Sequence, residues 1–268
     1  MADGALSAYA RLLRTHTRAQ ASYRTSFAID VVTSAVATAF DVVTVLVLFQ
    51  ITGSLGGFSL TEVLVMVGLS SAGFAAADLV FGNVDQIKRF VRTGLFDAVL
   101  LRPLRPLPQL VLMDLPVRKV GRVLIGVGVL AVALASAEIP WTPGRAALVV
   151  VTPLAGLVFF GSIFVATSAV SFWWVESGEV SAAFTYGGRD FTTYPITVYG
   201  GLFRRVFAYG LGFAFVAYYP ALALLGRADP LGLPSWAGWA SPAAALVAAA
   251  VAAVAWRTGI RHYRSTGS

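Results

Sequence analysis

Cysteine is absent from the 268 residues, and histidine occurs only twice, as His16 and His262. The first absence excludes disulfides, thiolate-held metals, cysteine nucleophiles and iron–sulfur clusters. The second removes a histidine-ligated metal centre, because both imidazoles sit in basic terminal segments. Lysine is equally scarce: Lys88 follows Ile87 and Lys119 follows Arg118, so neither completes the G-x-x-x-x-G-K-[ST] loop that cradles nucleotide phosphates. No G-x-S-x-G elbow, H-E-x-x-H pair or histidine-containing triad can be assembled either, and no catalytic residue is assigned. Charge as a whole is thin, at 12% of residues against about 25% in an ordinary soluble domain.

Apolar side chains are what the sequence has instead, at 57% of residues with a mean hydropathy of +0.77. So much apolar surface cannot be hidden in one soluble core of this size, and its solvent must be lipid. A spanning helix needs about 20 largely apolar residues, and six such blocks emerge: 27–49, 60–81, 120–137, 146–175, 202–225 and 242–256. The expected fold is therefore an all-α integral membrane protein of six transmembrane helices, residues 1–268 forming a single domain.

The formal net charge of +7 would suit nucleic acid, but the basic residues lie between apolar blocks rather than along one face, which makes them a topology signal. All but Arg145 and Arg227 fall in the termini and in the loops after the second and fourth blocks. Both termini are therefore expected to be cytoplasmic. Before the first block, Leu6, Tyr9, Leu12 and Leu13 share one helical side while Arg11, Arg14 and Arg18 share the other, which predicts an interfacial amphipathic helix over residues 1–25. The first apolar block starts too late and runs too long for a cleaved signal peptide.

The largest cytoplasmic loop, residues 82–119, is patterned. Val84, Ile87, Phe90 and Val91 recur at helical spacing with Lys88, Arg89 and Arg92 between them, and Gly94 separates them from a second short helix ended by Arg102-Pro103. Two short helices around a glycine, rich in Leu and Phe and set in a cytoplasmic loop, suit a docking surface.

The stretch Thr93-Gly-Leu-Phe-Asp-Ala-Val-Leu-Leu-Arg-Pro-Leu resembles the loop of type-2 ATP-binding cassette permeases, exporters with six spans per subunit. Arg189-Asp-Phe-Thr-Thr-Tyr-Pro-Ile-Thr-Val-Tyr-Gly-Gly-Leu-Phe-Arg-Arg, with Tyr218-Tyr219-Pro220-Ala221 further on, is similar to one branch of that family. The resemblance implies that Gly94 to Leu104 is a coupling helix seated in a separate ATPase subunit. It also implies that two permeases, identical or paralogous, flank the translocation path, and that ATP and Mg bind the partner, leaving this chain without a cofactor of its own. In that docking role Leu95, Phe96 and Leu101 supply apolar area, Asp97 and Arg102 supply orientation, and Pro103 stiffens the turn before Leu104. The alternative is that Phe96 and Leu101 lie against the lipid headgroups, as in other interfacial helices.

Acidic residues in spans are costly and therefore informative. Asp30 and Asp41, eleven residues apart, share a face of the first span, and Asp78 lies near the inner end of the second. Either Asp41 and Asp78 line a polar path, together with Glu176 and Glu179 at the inner end of the fourth span, or they pair with basic neighbours such as Arg24, Arg118, Lys119 or Arg122. Trp173 and Trp174 fit an interfacial aromatic belt. Residues 226–241 form a Pro/Gly-punctuated extracytoplasmic loop with two tryptophans, which the family resemblance implies dips into the outer leaflet.

Three functions follow for weighing: an ATP-driven permease for an amphipathic substrate such as a lipid, drug-like metabolite or glycoconjugate; an ion-coupled carrier using Asp41 or Asp78; and a membrane scaffold that recruits a cytoplasmic protein. The excess of Arg over Lys, with much Ala, Val and Gly, points to a bacterial plasma membrane.

Overall fold

The computed structural model describes residues 24–112, 119–174 and 177–264. The predicted N-terminal amphipathic helix falls outside these residues, apart from its last two positions, which open α1.

Five of the six apolar blocks appear as helices at their predicted places. They are α1 (Arg24–Thr52), α2 (Leu60–Phe81), α6 (Val120–Ser136), α7 (Pro143–Ala169) and α11 (Ser241–His262). Three short helices fill the loop between α2 and α6: α3 (Ile87–Arg92), α4 (Leu95–Leu100) and α5 (Pro106–Leu112), the first reached through a 3-10 turn over Gly82–Gln86. Among the described residues there is no β-strand. Among the described residues four helices, α1, α2, α7 and α11, are long and apolar enough to cross a membrane. At 17 residues, α6 extends about 25 Å at 1.5 Å per residue, somewhat short of a hydrocarbon core about 30 Å thick.

α2 is the hub. Its start is fixed by a capping box in which the Ser59 hydroxyl accepts from the Glu62 amide and the Glu62 carboxylate accepts from the Ser59 amide at 2.7 Å. Glycine then lets its neighbours approach at backbone distance. A Cβ on Gly73 would sit 3.1 Å from Gly156 Cα of α7, and one on Gly126 of α6 would sit 3.0 Å from the Ser71 carbonyl oxygen. Apolar surface gives helices little reason to associate inside lipid, so such close small-residue contacts carry the packing. α7 and α11 form a second extensively packed pair.

The region between α7 and α11 departs from expectation in two ways. Residues after the fourth block were expected to form a cytoplasmic loop, yet they form α8 (Gly178–Thr193), which runs antiparallel to α2 and α7. Gly178 packs on the Lys88 side chain, Ser181 donates to the Thr167 carbonyl, Thr192 and Ser70 share a hydrogen bond, and just beyond the helix Thr197 donates to the Gly56 carbonyl at 2.9 Å. The chain thus travels from the 82–112 loop to the turn joining α1 and α2.

The second correction concerns the expected fifth span, Leu202–Leu225. It is broken: α9 (Gly201–Arg204) runs into π-helical Arg205–Gly210, turns at Gly212, and returns through α10 (Tyr218–Leu225), the two arms bent by 63°. Gly212 has φ +83°, a conformation only glycine adopts without strain. Both ends of the segment meet the same turn, since Val198 lies on Gly56 while Arg227 bonds Glu62 and Gly57. The segment therefore dips inward and returns; its second arm is largely buried among aromatic rings, while Leu202, Phe203 and Val206 of the first arm and Leu211 after it are exposed.

Candidate functional site

The 82–112 loop is built as a rigid platform. Val84, Ile87, Val91, Phe96, Val99 and Leu110 are buried against Val165, Ala169 and Phe172 at the end of α7 and against Ala252 and Trp256 of α11. The helical spacing read from sequence is thus an inward-facing stripe. Gly94, at φ +69°, reverses the chain between α3 and α4. The buried Gln109 amide donates to the carbonyls of Val99 (3.1 Å) and Leu104 (2.9 Å), capping the end of α4 from α5.

Phe96 requires a correction. Expected to lie on an exposed docking surface, it is 0% exposed. Its ring lies 5.2 Å from Phe172 and 5.0 Å, edge-on, from Tyr263, whose hydroxyl donates to Asp97 at 3.0 Å. Burial and the Asp97 carboxylate, which would repel a phenolate, push the Tyr263 phenol up to about 12, so it remains a donor at neutral pH. The residues that do face outward are Leu95 (51% exposed), Leu101 (86%) and Leu100, with Arg102 and Pro103 beside them and Leu104 half-buried. Leu100 is an exposed member that the sequence reading passed over.

Of the acidic residues singled out in the sequence, Asp78 and Glu179 are described, and they lie apart. Asp78 is 1% exposed and held between two cations, with Lys119 Nζ and Arg122 Nη1 each 2.7 Å from one of its oxygens. Arg122 Nε also donates to Ser34 Oγ of α1 at 3.1 Å. Lys119 and Arg122 are two of the basic partners anticipated for this position. Glu179 lies exposed in the first turn of α8. Glu176 and the side chains of Asp30 and Asp41 fall outside what the structure describes. Among the described residues, no three of His, Asp or Glu are grouped as metal ligands.

What α8 brings together instead are two polar cavities that share Tyr186. One, of about 220 Å³, is lined by Thr33 and Ser34 of α1, Ser71 and Phe74 of α2, Arg122 of α6, and Tyr186 and Arg189 of α8. The Arg189 guanidinium lies 5.7 Å from the Phe74 ring centre. The other, of about 240 Å³, lies towards the 82–112 loop and is lined by Asp85, Lys88, Ser168 and Ser181, with Ser168 donating to Asp85 at 3.2 Å. Arg189 entered the sequence reading only within the family-like stretch, and Tyr186 not at all, because their helix was taken for a loop. The available signal was the pattern of small and hydroxyl residues from Ser181 to Thr193.

At the opposite end a cavity of about 900 Å³ opens between the starts of α7 and the 226–239 loop. Its walls are stapled by polar contacts. Asp229 accepts from Tyr218 at 2.9 Å and from the amides of Leu231 and Leu233; Arg145 donates to the carbonyls of Ala223 and Pro140; and Arg227 bonds Glu62 at 2.6 Å while lying over the Phe58 ring.

Residues 35–267 match the family model described as ABC-2 family transporter protein. No curated protein and no solved structure matches the chain.

Proposed function

Because the chain belongs to the ABC-2 transporter family, a family of multi-pass membrane permeases rather than ATPases, we propose that it is the permease subunit of an exporter driven by ATP hydrolysed on a separate subunit. The observation that carries this reading is the 82–112 platform, stiff, clamped to the ends of α7 and α11, and presenting Leu95, Leu100 and Leu101 outward. An ATPase that closes on ATP needs such an element to transmit its movement. Gly94, Leu95, Asp97, Leu101, Arg102, Pro103 and Leu104 form the docking segment. Phe96 holds that segment from behind.

In this topology α1, α2, α6, α7, α8 and α11 are the six crossings, and the bent 201–225 segment enters from the outer side. The platform end is cytoplasmic, since Lys88, Arg89, Arg92, Arg102, Arg105, Arg257 and Arg261 all lie there. Six crossings return both termini to the cytoplasm of a bacterial plasma membrane. A second permease, identical or paralogous, completes the path, while ATP and Mg stay with the ATPase. Asp78, Glu176 and Glu179 mark the inner course of that path and Asp41 a position deeper along it, with Asp78 acting by fixing Lys119 and Arg122. An ion-coupled carrier draws less support, because the Asp78 carboxylate is already engaged by two cations.

The test is affinity purification of the tagged chain in mild detergent, with mass spectrometry of stoichiometric partners. An ATPase subunit that is retained by the wild type and depleted in L95A/L101A is the expected result. A polypeptide that remains alone across several detergents overturns the reading.

A further inference from the structure

The 900 Å³ cavity lies at the end of the bundle away from the platform, and the docking role makes no use of it. It is held open by fixed walls. Asp229 fastens one of them, accepting from the hydroxyls of Tyr218 and Tyr219 and from the amides of Leu231 and Leu233. Gly238 seats the 235–239 turn directly on α10, where an added Cβ would fall 3.0 Å from the Tyr219 carbonyl oxygen. A preformed space of about 300–1,000 Å³ with a few placed polar groups is the usual form of a small-molecule site. Two indoles line it. Trp236 is 64% and Trp239 48% exposed, and both border the cavity, whereas an interfacial anchor faces lipid. Among the described residues neither indole N–H has a hydrogen-bond partner. Beside them Arg145 directs Nε to the Ala223 carbonyl and Nη1 to that of Pro140, leaving Nη2 unengaged over Gly226, where a Cβ would come within 2.7 Å of it. The charges in the lining are Arg145, Arg227 and Asp229. Since Glu62 answers Arg227 at 2.6 Å, one cation and one anion remain, and the walls favour neither a lone anion nor a lone cation.

We infer that this cavity binds the pyranose ring of a neutral sugar, with Trp236 and Trp239 as stacking surfaces and Arg145 as a donor. An indole face carries partial negative charge and so accepts the C–H face of such a ring. Hydroxyls both donate and accept, which suits walls that offer the N–H groups of Arg145 and the indoles together with carbonyl oxygens that each keep a second lone pair. A quaternary ammonium also favours indoles, but here it would meet Arg145 and Arg227. The inference deepens the permease reading, on which it rests for the statements that the cavity is extracytoplasmic and that the sugar is part of an exported molecule.

The experiment uses the full chain purified in octaethylene glycol monododecyl ether, a detergent without a sugar. Binding is measured to a printed array of neutral oligosaccharides and, by titration, to dodecyl maltoside and dodecylphosphocholine. Saturable binding of a sugar probe is expected, weakened about tenfold in W236A by loss of a stacking surface and less in W236F, which keeps a ring. W141A, which removes an indole 55% exposed and outside the cavity, is expected to bind like wild type. Because Trp236 is largely exposed, its truncation should leave the thermal midpoint unchanged. Binding on the array shows that the saccharide alone suffices; binding of dodecyl maltoside alone identifies the sugar headgroup of a lipid. No binding of either sugar probe, equal binding by wild type and W236A, or a Trp236-dependent preference for dodecylphosphocholine overturns the assignment. If no ATPase co-purifies but sugar binding depends on Trp236, the permease reading fails and the sugar site stands. The reverse pattern removes only the site.

Discussion

Replacing Phe96 with alanine distinguishes a buried anchor from a contact residue. The ring is fully buried and meets two aromatic partners, Phe172 and Tyr263, at 5.2 and 5.0 Å. Truncating a buried Phe costs about 3–5 kcal/mol, including the cavity left behind, and each lost aromatic pair accounts for about 0.5–1.5 kcal/mol of it. Taking about 3 kcal/mol for local opening of the platform, and about 1.4 kcal/mol per factor of ten, the open population rises by about two orders of magnitude. Trypsin reads this directly. Arg102 and Arg105 each precede proline and resist cleavage, so cuts are expected after Lys88, Arg89 and Arg92 in and beside α3, which must unwind before the protease can accept it. When opening is fast relative to cleavage, the rate tracks the open population, so F96A is expected to be nicked about a hundredfold faster than wild type. L101A, truncating a side chain 86% exposed, is expected to be nicked at the wild-type rate while retaining less ATPase. An F96A protein that resists trypsin like wild type yet loses its partner would refute the anchor and restore Phe96 to the docking surface.

Three further outcomes are expected. D78N leaves Lys119 and Arg122 facing a neutral amide in a buried setting, a change worth about 3–5 kcal/mol; the melting temperature in detergent should fall, and D78N/K119M should recover part of the loss. G73A places a methyl 3.1 Å from Gly156 Cα, and overpacking of this kind costs about 1–3 kcal/mol, seen as a lower thermal midpoint with unchanged helix content by circular dichroism. Tyr263, its phenol raised to about 12, stabilises through its neutral form: the contribution is full below the unfolded value near 10 and is lost as pH rises through about 12. Platform proteolysis should therefore be flat from pH 6 to 9 in wild type and faster throughout in Y263F.

The legible part of the fold was the set of long apolar helices, whether they face outward, as α1 and α11 do, or sit buried at the centre, as α2 does. α1, α7 and α11 expose Val, Leu and Ile to the bilayer, and a scan for apolar blocks finds such helices because composition and environment coincide. α8 fails that scan for a physical reason. Thr185, Gly188, Thr192 and Thr193 are buried against other helices, where hydroxyls find partners, so the helix packs inside the bundle without being apolar. The 202–225 segment fails in the opposite sense: it is as apolar as a straight span, with Phe207 and Phe213 packed on Phe191 and Leu202 and Phe203 exposed, and hydropathy carries no record of direction. Phe96 was legible as important and illegible as buried, since the ring that covers it, Tyr263, comes from the far end of the chain. Arg189 was visible from the start, but its depth follows only once Thr192 is seen beside Ser70.

The attachment of the platform to two helix ends at once has a mechanical corollary. α7 and α11 are packed along one another, and Phe172 and Trp256 grip the same loop. A push on the outward face of that loop therefore meets both helix ends at once. It reaches two neighbouring rods in the same direction, which would tilt together, and at their far ends Trp239 and Ala244 lie against Gly144 and Gly212. In the proposed transport cycle, motion begun at the platform would arrive at the opposite side of the bundle as displacement of the broken segment and of the wall of the 900 Å³ cavity, with the α7–α11 pair as the lever and Phe96 at its short arm.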